Sequence, residues 1–190
     1  YILTCKNTDK ICIFTNKGQM HLLKVLDLPY GKFRDKGIPI DNLSNYNSSE
    51  ENFIYIINLG AIIHSRLLFG TKTAMLKMVD GSEFDVAKRT TASTKLNEDD
   101  ELLIVHAMTG EETVVMQSEK EMFLRIEAST IPEKKKGAVG VRGMKLNAGD
   151  ALSNIYVLDG ENEQTVEVKG KEVVLNRLRV GNRDTKGTKR

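Results

Sequence analysis

A chain of 190 residues, 40% hydrophobic and 28% charged, is long enough to bury a core and too apolar for a disordered segment. Its longest apolar stretches, residues 53–57 and 59–63, fall far short of the roughly 20 helical residues that a bilayer core demands, which excludes a helical membrane span. Net charge is only +2, so any argument for an acidic partner must come from where the charges sit.

The chain opens on Tyr1 rather than Met, and residues 1–5 read as a strand without the basic and apolar zones of a signal peptide, as in an excised fragment. Cys5 and Cys12 are the only cysteines, too few for a disulfide framework, and are expected as reduced thiols in apolar runs. Residues 11–25 run as an apolar strand, a tight turn ending at Gly18 and a second strand, which is a β-hairpin. Three later segments copy it: residues 67–79 turning at 71–73, 113–127 turning at 118–120, and 165–179 turning at 169–171. After each hairpin comes a basic loop closing on a small residue: 32–37, 88–90, 134–137 and 183–187. Short alternating strands are expected next, at 38–40, 91–93 and 138–141.

Gly37, Thr90, Gly137 and Gly187 thus recur at a period of roughly 50 residues, within the range of propeller-like blades. A further strand completes the first three units, at 53–57, 102–107 and 151–158, and the fourth unit stops before reaching it. Helical periodicity is confined to one turn near residues 22–28. The fold expected is all-β, a single domain over 1–190 with blades side by side and approximate repeats 11–57, 67–107, 113–158 and 165–190.

Enzyme chemistry finds no foothold. His21, His64 and His106 are scattered without a partnered Ser, Cys or carboxylate motif. Gly137, Gly140 and Gly143 lack the strand-to-helix setting of a dinucleotide turn, and Gly70-Thr71-Lys72-Thr73 lacks the upstream half of a phosphate-binding loop. No catalytic residue, metal or cofactor is therefore expected. Met20, Met75, Met116 and Met122 fall at strand positions that should face inside the blades.

Zero Trp removes the Trp-Asp signature of WD repeats and a Trp-bearing kelch repeat. Residues 14–20 (Phe-Thr-Asn-Lys-Gly-Gln-Met) with 23–25, 28–29 and 36–43 resemble a blade of the β-pinwheel that ends the A subunit in bacterial type IIA topoisomerases, DNA gyrase and topoisomerase IV. Residues 137–146 (Gly-Ala-Val-Gly-Val-Arg-Gly-Met-Lys-Leu) followed by Ala148-Gly149-Asp150 resemble another. The likeness covers nearly the whole chain in blade order.

That resemblance implies a β-pinwheel of which four blades are visible, the last incomplete. It also implies a non-catalytic role, binding and bending double-stranded DNA through its phosphate backbone on a basic outer rim. The partners implied are the rest of the A subunit, which carries the catalytic tyrosine, and the B subunit, in the bacterial cytoplasm at the nucleoid. The Gln-Arg-Arg-Gly-Gly-Lys-Gly box of a gyrase first blade is not present; residues 34–37 and 134–137 stand in that loop as degenerate versions. Phosphate contact without base readout needs cations repeated along a curve. The DNA-binding candidates are Lys32, Arg34 and Lys36; Lys88 and Arg89; Lys134, Lys135, Lys136 and Arg142; and Arg177, Arg179, Arg183 and Lys186. Any one basic run is as readily a solvated surface, but recurrence at one position of every unit favours a shared role. The competing reading is a protein-interaction propeller without DNA affinity, using its faces rather than its rim.

Overall fold

The computed structural model describes residues 2–190. Tyr1 lies outside the described residues, and the strand expected over 1–5 does not form across 2–5; pairing begins at β1, Lys10–Thr15. The strands that follow are β2 (Gln19–Lys24), β3 (Phe53–Asn58), β4 (Arg66–Thr71), β5 (Met75–Asp80), β6 (Thr90–Ala92), β7 (Leu102–Met108) and β8 (Thr113–Ser118). After them come β9 (Met122–Glu127), β10 (Val141–Arg142), β11 (Leu152–Leu158), β12 (Thr165–Val168), β13 (Lys171–Val174) and β14 (Thr188–Lys189). One short helix, α1 (Leu59–Ile62), is capped by the Asn58 side chain accepting from Gly60 N.

The sheets are antiparallel, in the orders β3-β1-β2-β6, β10-β5-β4-β7 and β11-β8-β9-β14, with β12-β13 as a two-stranded remainder. The fold is all-β and bladed, with an incomplete last blade. The hairpin turns fall where the sequence places them. Gly18, Ala74 and Glu121 occupy the same turn position with φ of 69°, 64° and 62°. Only the first is a residue that adopts this conformation freely.

Two strand expectations are corrected. The short strand after each basic loop does not complete its own unit: β6 follows the β4-β5 hairpin yet pairs with β2, β10 pairs with β5, and β14, from the fourth unit, pairs with β9. The second strand of each hairpin would otherwise leave a row of backbone donors and acceptors open, and the strand from the following unit covers it. The strand expected at 38–40 does not form; Pro39 leads instead into a single 3-10 turn, Ile40–Asn42. Every other such segment lies on the hairpin of the unit before it, and the first unit has no earlier hairpin among the described residues.

Blades pack face to face, so central strands are buried on both sides and lose period-two alternation: β4 is buried from Leu67 through Thr71. Between the first and second sheets, Phe84 packs edge-on against Phe14 at 5.1 Å between centroids and stacks on Phe69 at 5.8 Å. Leu76, Met116, Met144 and Leu152 fill the space between the second and third sheets, and Val115, Leu175 and Leu178 the next. Met20 and Met116 are fully buried as expected, while Met75 and Met122 are half-buried. β7 touches both β3 and β11, so these strands line the inside, and β6, β10 and β14 form the opposite, outer edge.

Candidate nucleic-acid interface

Each outer edge is built from two successive units. After β5, β9 and β13 the chain makes a 3-10 turn (Gly81–Phe84, Ala128–Thr130 and Leu175–Arg177). It then runs as a basic loop along the second strand of the previous hairpin. Main-chain bonds fix the approach: Leu22 N donates to Arg89 O at 2.7 Å, Lys134 N to Met78 O at 2.8 Å and Gly181 N to Arg125 O at 2.8 Å. Close contact demands small residues. A Cβ on Gly187 would stand 2.7 Å from Phe123 O, and one on Gly140 would stand 2.6 Å from Leu76 O.

A polar side chain from the earlier hairpin meets the incoming loop at every junction, buried at the first two (His21, Lys77) and half-buried at the third (Arg125). His21 Nδ1 lies 3.1 Å from Thr90 Oγ1, and its Nε2 lies 2.7 Å from the buried Glu51 carboxylate. Lys77 Nζ donates to the carbonyls of Ala138 at 2.6 Å, Lys136 at 2.7 Å and Lys135 at 3.3 Å. Arg125 Nη1 donates to Asn176 O at 2.5 Å and Leu178 O at 3.3 Å. Burial pushes the Lys77 ammonium down to about 8, opposed by Glu83. None of these contacts was legible as a sequence motif. The only hint was a polar residue inside an otherwise apolar strand.

The sequence-derived cations divide by environment. Lys32, Arg34 and Lys36 are exposed on a loop that touches no preceding hairpin. Lys88, Lys134, Arg179 and Lys186 are also exposed, and among the described residues these seven form no ion pair. Others are partly engaged: Arg89 lies 3.8 Å from Asp27, Lys135 3.5 Å from Glu83, Arg142 3.4 Å from Asp184 and Arg177 3.4 Å from Glu163. Lys136 turns inward, donating to Glu83 O at 2.8 Å with its ammonium 6.0 Å from the Phe84 ring centre. Arg183 donates to Arg142 O at 2.9 Å. Lys24, Lys145, Lys189 and Arg190 are exposed on or beside the same edges. Sequence reading passed over them because they lie on strands or strand ends rather than in the recurring loop.

Elsewhere the titratable groups serve structure. Cys12 is buried in β1, and burial raises its thiol to about 12, far from a reactive thiolate. Cys5 is half-buried outside any strand rather than in the core. His64 and His106 lie apart from His21, and no cluster of His, Cys, Asp or Glu suited to a metal occurs among the described residues. Among the described residues no helix is long and apolar enough to cross a membrane.

The family described as DNA gyrase C-terminal domain, beta-propeller, matches residues 65–107 and 112–159, the second and third sheets. The A subunit of DNA gyrase from Staphylococcus epidermidis is 31% identical over 99% of the chain, which spans 22% of that relative's length. The chain belongs to the gyrase C-terminal domain family. Among solved structures, the C-terminal domain of a DNA topoisomerase IV superimposes with a TM-score of 0.90 at 22% identity, over 99% of this chain and 60% of the other. The C-terminal domain of a DNA gyrase A superimposes with a TM-score of 0.70 at 21% identity, over 98% of this chain and 61% of the other. Those two likenesses speak to the fold, and they extend over 99% and 98% of this chain. The two matched segments lie in two of the three four-stranded sheets. They share the junction at which Lys77 meets residues 135–138.

Proposed function

We propose that this domain is the non-catalytic DNA-bending module of a type IIA topoisomerase A subunit, holding duplex DNA against its outer edges while other domains and the B subunit carry out strand passage in the cytoplasm. The observation that carries this reading is the repetition of exposed cations, unpaired among the described residues, at one loop of every unit: Lys88, then Lys134, then Arg179 and Lys186 beside the outer edges, and Lys32, Arg34 and Lys36 on the first loop, which has no preceding hairpin to lie against. Arg89, Lys135, Arg142, Arg177 and Arg183 border them and add charge through partly engaged side chains; Lys136 serves packing. Smooth bending of a few tens of base pairs costs of order 1–6 kcal/mol, so contacts from several blades must act together. Blades side by side supply those contacts along one curve, without base-edge readout.

The test is a titration with duplexes of roughly 20 and 60 base pairs across a salt series, each phosphate contact contributing about 0.9 to the slope. Tighter binding and a steeper slope on the longer duplex, beyond the statistical gain in sites, is the expected result. Binding with the same slope on both lengths would reduce the role to a single-blade contact. No binding at low salt would replace this reading with the protein-interaction propeller.

A further inference from the structure

Lys77 is 1% exposed and sits on β5, inside the junction between the second and third sheets. No carboxylate forms an ion pair with it among the described residues. Glu83, the nearest acidic influence, is occupied by Lys136 N at 3.0 Å and Lys135 Nζ at 3.5 Å. The ammonium is satisfied by backbone alone, through the carbonyls of Lys135, Lys136 and Ala138, with the Phe69 ring centre 5.4 Å away. An ammonium has three donors, and here each has an acceptor.

We infer that Lys77 is a positioning residue for DNA: by drawing three carbonyls of residues 135–138 inward it fixes the loop with Lys134 and Lys135 pointing to solvent, where they meet phosphates. This rests on the DNA-binding reading above. Without the ammonium, Lys136 O would lose its donor, while Lys135 O would keep only Ala138 N at 2.9 Å and Ala138 O only Thr94 Oγ1 at 3.5 Å, and the loop would open to find water. Lys134 and Lys135 would then lose their fixed spacing while keeping their charge.

The other junctions show why this one is distinctive. His21 meets its incoming loop at one side-chain hydroxyl, and Arg125 reaches two carbonyls. Residues 32–37 have no such tether from an earlier hairpin. Lys77 therefore holds the loop richest in consecutive lysines by the largest number of main-chain contacts.

The experiment compares the intact chain with Lys77→Met, with the Lys134→Ala, Lys135→Ala double variant, and with the triple variant, on the same 60-base-pair duplex across salt. Circular dichroism and thermal melting confirm that each is folded. The double variant should lower the salt slope by up to about 1.8, at 0.9 per contact. Lys77→Met should lower it by a similar amount although it removes no exposed charge, and the triple variant should lose no more than the double. A folded Lys77→Met with an unchanged slope overturns the inference while leaving the DNA reading intact. A further loss in the triple variant also overturns it, because the effect would then act outside this loop. An unchanged slope in the double variant removes the loop from the DNA interface and both readings of it fail together. Should Lys77→Met prove unfolded, Lys77→Gln, with an amide donor for one carbonyl, gives the same comparison with a smaller change.

Discussion

Residues 32–37 and 133–138 follow one sequence plan, a basic run closing on glycine after a hairpin, and finish in different surroundings. The later loop is held against β5 by Lys134 N and by the Lys77 ammonium. The earlier one projects with Phe33 and Tyr30 fully exposed, braced only within itself: Asp35 Oδ2 accepts from Lys32 N at 2.6 Å and Asp35 N donates to Lys32 O at 2.9 Å. Loop composition alone therefore does not set loop conformation. The edge of a preceding hairpin does, because its unpaired backbone groups and one buried side chain supply the partners that the loop cannot supply for itself.

Glycine substitutions break this comparison most sharply. Gly140 has φ 108°, and its added Cβ would lie 2.6 Å from Leu76 O, a main-chain atom that cannot move without disturbing β5. Gly140→Ala should cost about 3 kcal/mol from strain and overlap together. Gly37 also has positive φ, 75°, but nothing lies within 4 Å of its Cβ position. Gly37→Ala should therefore cost about 1 kcal/mol, the left-handed penalty offset in part by a stiffer unfolded chain. Urea melts of the two variants measure the gap. Equal losses would mean that the chain leaving the later loop along β5 is no more constrained than the earlier loop.

Much of the architecture was legible because hairpins are local. Apolar runs such as 113–118 and 122–127, with a short polar turn between them, specify a hairpin within fifteen residues. The exchange of β6, β10 and β14 onto the preceding sheet was not legible, since the partners are far apart in sequence and a two- or three-residue strand carries almost no periodicity. The same limit hid the site. The recurrence of Lys and Arg gave the loops, but it could not reveal that Lys136 folds back onto Glu83 O and Phe84 while Lys134 stays free. It also read His21 as unpartnered, although His21 sits between Glu51 and Thr90, residues thirty and sixty-nine positions away.

On the side of the hairpin turns the first two blades are tied by charge. Glu101 accepts from Lys17 Nζ at 2.8 Å and Lys72 Nζ at 2.5 Å, and these bonds hold its carboxyl down at about 2. The unfolded value is 4.5, so the stabilisation is fully present above that pH and is lost as pH falls through 4.5 toward 2. The group is partly exposed, and screening limits its worth to about 1 kcal/mol. Glu101→Gln should lower the melting temperature at pH 7, and the difference from the parent should vanish near pH 2. A difference that persists at pH 2 would assign the effect to packing rather than to the ion pairs.

The smallest effect comes from one turn position compared across neighbouring blades. In the second blade, Asp100 accepts from Thr73 N at 3.0 Å with one oxygen and from Thr73 Oγ1 at 2.5 Å with the other. Asp150 occupies the corresponding place in the third blade and accepts from Lys120 N at 3.2 Å, but Lys120 sends its ammonium to Ala148 O and leaves Asp150 Oδ2 buried without a partner. A threonine at position 120 would bring a hydroxyl to that oxygen, at the cost of an exposed lysine bond. Lys120→Thr should thus stabilise the chain by about 0.5–1 kcal/mol, the net worth of one hydrogen bond to a desolvated acceptor. The control is Thr73→Val in the second blade, which should destabilise by at least as much, because it strips a partner from a carboxylate already committed to it. If Lys120→Thr is neutral while Thr73→Val is costly, the two turns share a backbone and not an electrostatic environment, and the Asp150 oxygen draws its partner from solvent.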